Sequence, residues 1–272
     1  MGSWYHFSMN NIKNIVKNEL KEVVACISKF MCNNSYPDLN YFVQNKSKYI
    51  RSIIAILYLK ANNVTINTDI IKLLASAELI HNASLLHDDV IDEGLERRGE
   101  KTIYAKYGSK TSVLYGDYLL SIAMKTVLGL NNLSILNMFI DTAEKMSEAE
   151  IIQLSNRNNS ISVDEYLNII KGKTASIFEL ILKVSALLSK LDEKIAGEFG
   201  MIFGIIFQIN NDLNTKSAEN DRKNGVCTAV NIIGIEKTLA LKDNYKEELS
   251  KLLLNIPTNM YKKGIEDLVE LL

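Results

Sequence analysis

An all-α fold follows from three features of the 272-residue sequence. Only two prolines, Pro37 and Pro257, interrupt it, so helices can run long. Apolar residues recur at helical spacing between lysines and glutamates, as in Ile12, Ile15, Val16, Leu20, Val23, Val24 and Ile27. No Gly/Ser-rich or Pro-rich linker divides the chain, and its 47% apolar content can build a sizeable core. The expectation is one domain over residues 1–272, a bundle of about ten helices joined by short connections.

The elements follow in order. Residues 1–8 read poorly as helix and resemble an expression remnant or an unstructured lead. The spacing predicts a first, amphipathic helix from about Met9 to Phe30. After a break at Asn33 to Pro37, a second helix over Tyr41 to Ala61 carries Lys46, Lys48 and Arg51 ahead of the apolar run Ile53 to Leu59. Asn67 is an N-cap for the third helix, whose face Ile71, Leu74, Ala75, Leu79, Ile80 and Ala83 leads to Asp88. Two long helices are expected over Leu114 to Leu128 and Leu133 to Gln153, with Glu144, Glu148 and Glu150 as a solvated acidic cluster. In the helix expected over Tyr166 to Leu188, Lys171-Gly172-Lys173 is a local weakness, because glycine is a poor helix former. An apolar run from Phe199 to Ile209 and closing helices from Gly234 to Leu272 complete the chain.

Composition narrows the function. Lys+Arg 31 against Asp+Glu 32 leaves a net charge of -1, which gives no general attraction to nucleic acid or to an anionic membrane. Cys26, Cys32 and Cys227 show no CxxC spacing, which argues against a zinc site and a disulfide framework. No run reaches the roughly 18 apolar residues of a spanning helix. Met1 to Asn10 also lacks the pattern of a secretory leader, so a cytoplasmic protein is expected.

The chemistry concentrates between Glu78 and Gly99. Asp88 and Asp92, four residues apart, share a helix face at about 6 Å along the axis, and Asp89 lies beside them. Two carboxylates that close in an apolar segment repel unless a cation sits between them. Mg²⁺ suits such a pair, since it keeps one or two carboxylates and fills its shell with phosphate oxygens. Arg97 and Arg98 then offer fork-shaped donors to a polyanion. Read alone, such a run is more often a solvated cap with surface ion pairs.

The wider window resembles the first aspartate-rich motif of the trans-prenyltransferases, the polyprenyl (isoprenyl) diphosphate synthase family. The resemblance rests on His81, Ala83-Ser84-Leu85, His87-Asp88-Asp89, Asp92, Arg97-Arg98-Gly99, Thr102, Gly108, Leu114 and Gly116-Asp117. It implies an all-α isoprenoid synthase-type bundle around a central cavity, with Mg²⁺ as cofactor. The implied reaction is the condensation of isopentenyl diphosphate with an allylic prenyl diphosphate. Lys48, Arg51, His81 and Arg98 would bind isopentenyl diphosphate, although Tyr49 and Ser52 replace an arginine and the proline of the family's Gly-Lys-Arg-x-Arg-Pro-type motif. Arg97, Lys173, Thr174 and Gln208 would serve the allylic side. Ala83 and Ser84, where short-chain members carry a bulky aromatic, imply a long product. A homodimer is implied too, and Leu114 to Gln153 hold enough apolar positions for its interface.

The second aspartate-rich motif departs from the family. Asn211-Asp212-Leu213-Asn214-Thr215 stands where Asp-Asp-x-x-Asp belongs, leaving Asp212 and the amide of Asn211 as candidate metal ligands beside Asp88 and Asp92. In the following stretch Val226 occupies the place of a lysine, for which Lys216, Arg222 or Lys223 would substitute, and the C-terminal third reads as shortened. An active synthase is the first expectation. The alternative is a non-catalytic or regulatory subunit of a heteromeric synthase.

Overall fold

The computed structural model describes residues 2–31, 36–45, 48–97, 99–214 and 224–272, which are almost wholly helical. The chain divides into two compact units, each assembled from separated segments. One contains Val16–Ile56 and Ile66–Asn137, and the other contains Met1–Ile15, Leu57–Thr65 and Met138–Leu272. They are called the aspartate unit and the C-terminal unit below.

The aspartate unit is organised on α5 (Thr68–Ile91). Asn67 caps it as expected, its side chain accepting from the Ile70 amide at 2.9 Å. Leu73, Leu74, Ala77, Leu79, Ile80 and Leu86 are all buried at several angles around it, as in a central helix, while His81, Ser84, Leu85 and Asp88 are left half-buried. It packs on α2 (Lys17–Phe30) and along α6 (Ile103–Leu128). Ser112 of α6 donates to the Leu86 carbonyl at 2.9 Å, and Gly116 leaves room for the His87 imidazole, which a Cβ there would overlap. A short antiparallel hairpin, β1 (Glu96–Arg97) and β2 (Glu100–Lys101), joins the two helices. Thr102 caps α6, which therefore starts well before Leu114, although Gly108 interrupts it at φ 79°.

Two expected helices are each split. Val16, at φ -113° and ψ 20°, separates α1 (Gly2–Ile15) from α2, and α1 includes residues that read poorly as helix. The second expected helix is α3 (Pro37–Asn45) and α4 (Ile50–Ala61), with Tyr49 at φ 56° before α4. Neither break carries a glycine or proline, so local propensity does not announce it.

The C-terminal unit contains most of α7 (Leu133–Ser155), then α8 (Val163–Ile170), a π-helix (Lys171–Ala175) and α9 (Ser176–Leu188). A reciprocal capping box starts α8: the Ser162 amide donates to Glu165 Oε2 at 2.8 Å, and the Glu165 amide donates to Ser162 Oγ. The weakness expected at Lys171-Gly172-Lys173 is the π-helix, whose wider turn interrupts the α-helical ladder. Next comes α10 (Glu193–Leu213), capped by Asp192; the helix lies close against α9 and the π-helix because Gly200 and Gly204 have no Cβ to meet Phe178 and Ala175 respectively. The unit ends with α11 (Ala229–Ile233), α12 (Ile235–Leu253) and α13 (Met260–Glu270).

Candidate active site

The three aspartates of α5 fall into two environments. Asp88 and Asp92 are half-buried, and Asp92 closes the helix, its amide donating to the Asp88 carbonyl at 2.8 Å. Both carboxylates thus sit at the negative end of a 24-residue helix dipole whose last turn holds no basic residue. A cation is the natural complement. The donors are two carboxylates one helical turn apart, all oxygen, which is the kind of set a hard divalent ion takes when phosphate oxygens complete its shell. The residues therefore fit Mg²⁺.

Asp89 points elsewhere. It is 2% exposed, and its Oδ1 accepts from Arg97 Nε at 2.9 Å and Nη2 at 2.8 Å. Burial pushes the Asp89 carboxyl above its ordinary value, against the opposing pull of Arg97. Arg97, expected as a free phosphate donor, is thus held by its own hairpin-to-helix ion pair and keeps only its remaining N–H groups for a ligand. Arg98 lies outside the described residues.

The expected isopentenyl diphosphate residues are unequally placed. Lys48 is exposed before α4, His81 is half-buried, and Arg51 in the first turn of α4 is 7% exposed. Beside Arg51, Ser52 donates both its amide, at 3.1 Å, and its hydroxyl, at 2.8 Å, to Oε1 of Glu78, which is 1% exposed. A proline at this position would have no N–H to give. Glu78 is a buried carboxylate that periodicity hides, since the positions before it on its face, Leu74 and Ala75, are apolar. Ala83 is 3% exposed, and half-buried Ser84 donates to the His81 carbonyl at 2.9 Å.

In the C-terminal unit, Lys173 of the π-helix forms an ion pair with Glu150 of α7, so Glu150 is not the solvated residue expected. Thr174 Oγ1 donates to Gln208 Oε1 at 2.9 Å, and Gln208 Nε2 donates to Asp212 Oδ1 at 2.8 Å. Oδ2 of Asp212 accepts from the Tyr166 hydroxyl at 2.7 Å and the Ala229 amide at 2.8 Å. Asp212 is 2% exposed, and burial raises its carboxyl although all three donors pull it down. Asn211 is half-buried and Asn214 exposed, while Thr215, Lys216, Arg222 and Lys223 lie outside the described residues.

Residues 36–254 match the polyprenyl synthetase family. The chain belongs to that family. It is 34% identical over 186 residues to an octaprenyl diphosphate synthase of Escherichia coli, covering 67% of this chain and 57% of that one. With a decaprenyl-diphosphate synthase of Dictyostelium discoideum it shares 33% over 228 residues, covering 77% and 49%. It thus spans about half the length of these relatives. Its fold matches the crystal structure of a decaprenyl diphosphate synthase from Rhodobacter capsulatus at a TM-score of 0.87 and 23% identity, over 96% of this chain and 97% of that one. A polyprenyl synthase from Caulobacter crescentus, complexed with calcium and isoprenyl diphosphate, matches at 0.87 and 22% identity over 97% and 96%. The isoprenoid synthase-type helical fold expected from the motifs is therefore the fold of this polyprenyl synthetase family member.

Proposed function

We propose that this polyprenyl synthetase family member condenses isopentenyl diphosphate with an allylic prenyl diphosphate in a Mg²⁺-dependent reaction and makes a long-chain polyprenyl diphosphate. The observation that carries the reading is the Asp88/Asp92 pair one turn apart at the carboxyl end of α5, a donor set suited to a divalent cation that also holds a diphosphate. Bound Mg²⁺ supplies neutralisation of the diphosphate as the allylic C–O bond breaks and pyrophosphate leaves.

The chain's own residues do the holding. Asp88 and Asp92 would hold Mg²⁺ and, through it, the diphosphate, while Asp89 orients Arg97 at the edge of the same motif. Lys173, Thr174 and Gln208 are assigned to the allylic substrate, and Asn211 offers a neutral amide oxygen. Lys48, Arg51, His81 and Arg98 are assigned to isopentenyl diphosphate. The isopentenyl double bond then attacks the allylic cation, and the new intermediate loses a proton to a phosphate oxygen. Long-chain relatives and small Ala83 support the product class.

Assembly as a homodimer is supported by Ile140, Ile151 and Leu154, which leave α7 with exposed apolar side chains. No helix among the described residues is long and apolar enough to cross a membrane, and the cysteine pattern supports a cytoplasmic protein. Asn211 and Thr215, neutral where the family has carboxylates, favour as second reading a non-catalytic or regulatory subunit of a heteromeric synthase. Incubating the purified chain with isopentenyl and farnesyl diphosphates and Mg²⁺ separates the two. Pyrophosphate release with a lengthened prenyl chain supports the synthase, whereas no release unless a complete synthase subunit is added supports the second reading.

A further inference from the structure

We propose that Asp212 serves in this chain as the anchor of a positioning network rather than as a metal ligand, and that Tyr166 is a positioning residue for Lys173 and Thr174. The inference deepens the prenyl-transfer reading and rests on it. Its geometry lies wholly within the C-terminal unit.

The carboxylate of Asp212 is enclosed, and each of its oxygens is already committed. Oδ1 accepts from Gln208, and Oδ2 accepts from both the Tyr166 hydroxyl and the Ala229 amide. Hydrogen bonds to a buried carboxylate are among the strong ones, because the donors replace the water that burial removes. A cation approaching Oδ2 would have to displace two of them. The donors also come from different elements. Tyr166 lies on α8, Gln208 on the same helix as Asp212, and Ala229 at the first residue of α11. One carboxylate therefore ties α8, α10 and α11 together.

The network also reaches the π-helix. A carboxylate only accepts, so it fixes the Gln208 amide with its NH₂ towards Asp212 and its carbonyl oxygen towards Thr174. Thr174 spends its hydroxyl proton on that oxygen, which holds the π-helical turn beside Lys173 in one arrangement. Tyr166 is 2% exposed and packs with Ile169, Ile170, Ala175, Ile205 and Ile209. Its ring thus has a packing role that Phe would retain, and its hydroxyl has a separate role on Asp212. In this chain, with Asn211 beside it in place of a carboxylate, Asp212 holds the allylic-side residues in place while Asp88 and Asp92 carry the metal.

The test compares the full-length parent with Tyr166→Phe and Asp212→Asn. It measures calorimetric binding of farnesyl diphosphate at saturating Mg²⁺, the Mg²⁺ midpoint of that binding, both Michaelis constants, and hydrogen exchange at the Ala229 amide. Tyr166→Phe is expected to weaken farnesyl diphosphate binding about tenfold, the scale of one charge-assisted hydrogen bond. Its Mg²⁺ midpoint and its Michaelis constant for isopentenyl diphosphate should stay within about twofold of the parent, by the same scale. Asp212→Asn should accelerate exchange at Ala229 and again leave the Mg²⁺ midpoint in place. A Mg²⁺ midpoint moved about tenfold or more by Asp212→Asn, with Ala229 still protected, makes Asp212 a ligand and overturns the proposal. Tyr166→Phe that lowers only thermal stability overturns it as well, since the hydroxyl is then structural. A parent that binds farnesyl diphosphate but never turns over removes the synthase reading alone, because the binding comparison still decides the network. A parent that binds no farnesyl diphosphate removes both.

Discussion

At the residue scale, three neighbouring aspartates acquire two environments from helical phase. Asp88 and Asp92 stack one turn apart at the end of α5, whereas Asp89 turns about 100° away into a buried ion pair with Arg97. Asp88→Ala should therefore abolish Mg²⁺-dependent binding of a diphosphate, measured by calorimetry, and unchanged binding would make the pair structural. Asp89→Asn should retain that binding yet lower stability in urea by about 1–3 kcal/mol, because the Arg97 charge loses its partner. Tyr58 gives a prediction of a different kind. It is 5% exposed, and burial pushes its hydroxyl up to about 12. The unfolded chain releases this proton near pH 10, so between about pH 10 and 12 the folded state binds it more tightly and stability falls as pH rises. Below that window both states are protonated and nothing is lost. Urea midpoints at about pH 9 and about pH 11.5 should show a fall of at most about 2 kcal/mol from this group, absent in Tyr58→Phe. An equal fall in the variant would mean that Tyr58 ionises freely.

At the scale of elements, the π-helix is where sequence and packing meet. Gly172 weakens the helical ladder, and its missing Cβ admits Ala149 of α7; Gly204 does the same for Ala175 from the other helix. The bulge is thereby trapped between two close approaches, with Lys173 and Thr174 on it. Gly204→Ala, placed in a helix where alanine is otherwise the better residue, should nevertheless cost about 1–3 kcal/mol through overpacking. Thermal unfolding reads the sign directly, and a stabilised variant would show that the π-helix gives way cheaply. The hydrogen bonds from Ser52 to Glu78 offer a second case, in which a departure from the family motif supplies a donor that proline cannot.

At the scale of the whole molecule, two expected outcomes bear on what the chain makes and how it assembles. Ala83 lies five residues, about 7.5 Å of helix, before Asp88 and is buried. Ala83→Tyr should shorten the prenyl product seen by chromatography after dephosphorylation; an unchanged distribution would mean the growing tail does not pass this point. Light scattering should give twice the 30.6 kDa chain mass, and a monomer mass would remove the dimer. The sequence by itself determined the all-α class, the family, the cap at Asn67 and the Asp88/Asp92 pair. Each depends on contacts within a few residues or on a pattern that survives without its partners. Only the tertiary structure decided the breaks at Val16 and Tyr49, the pairing of Lys173 with Glu150, and the commitment of Asp212 to Tyr166 and Ala229. Those contacts join residues far apart in the chain. Burial and partner geometry, which no local spacing encodes, determine whether a carboxylate there holds a cation or a helix.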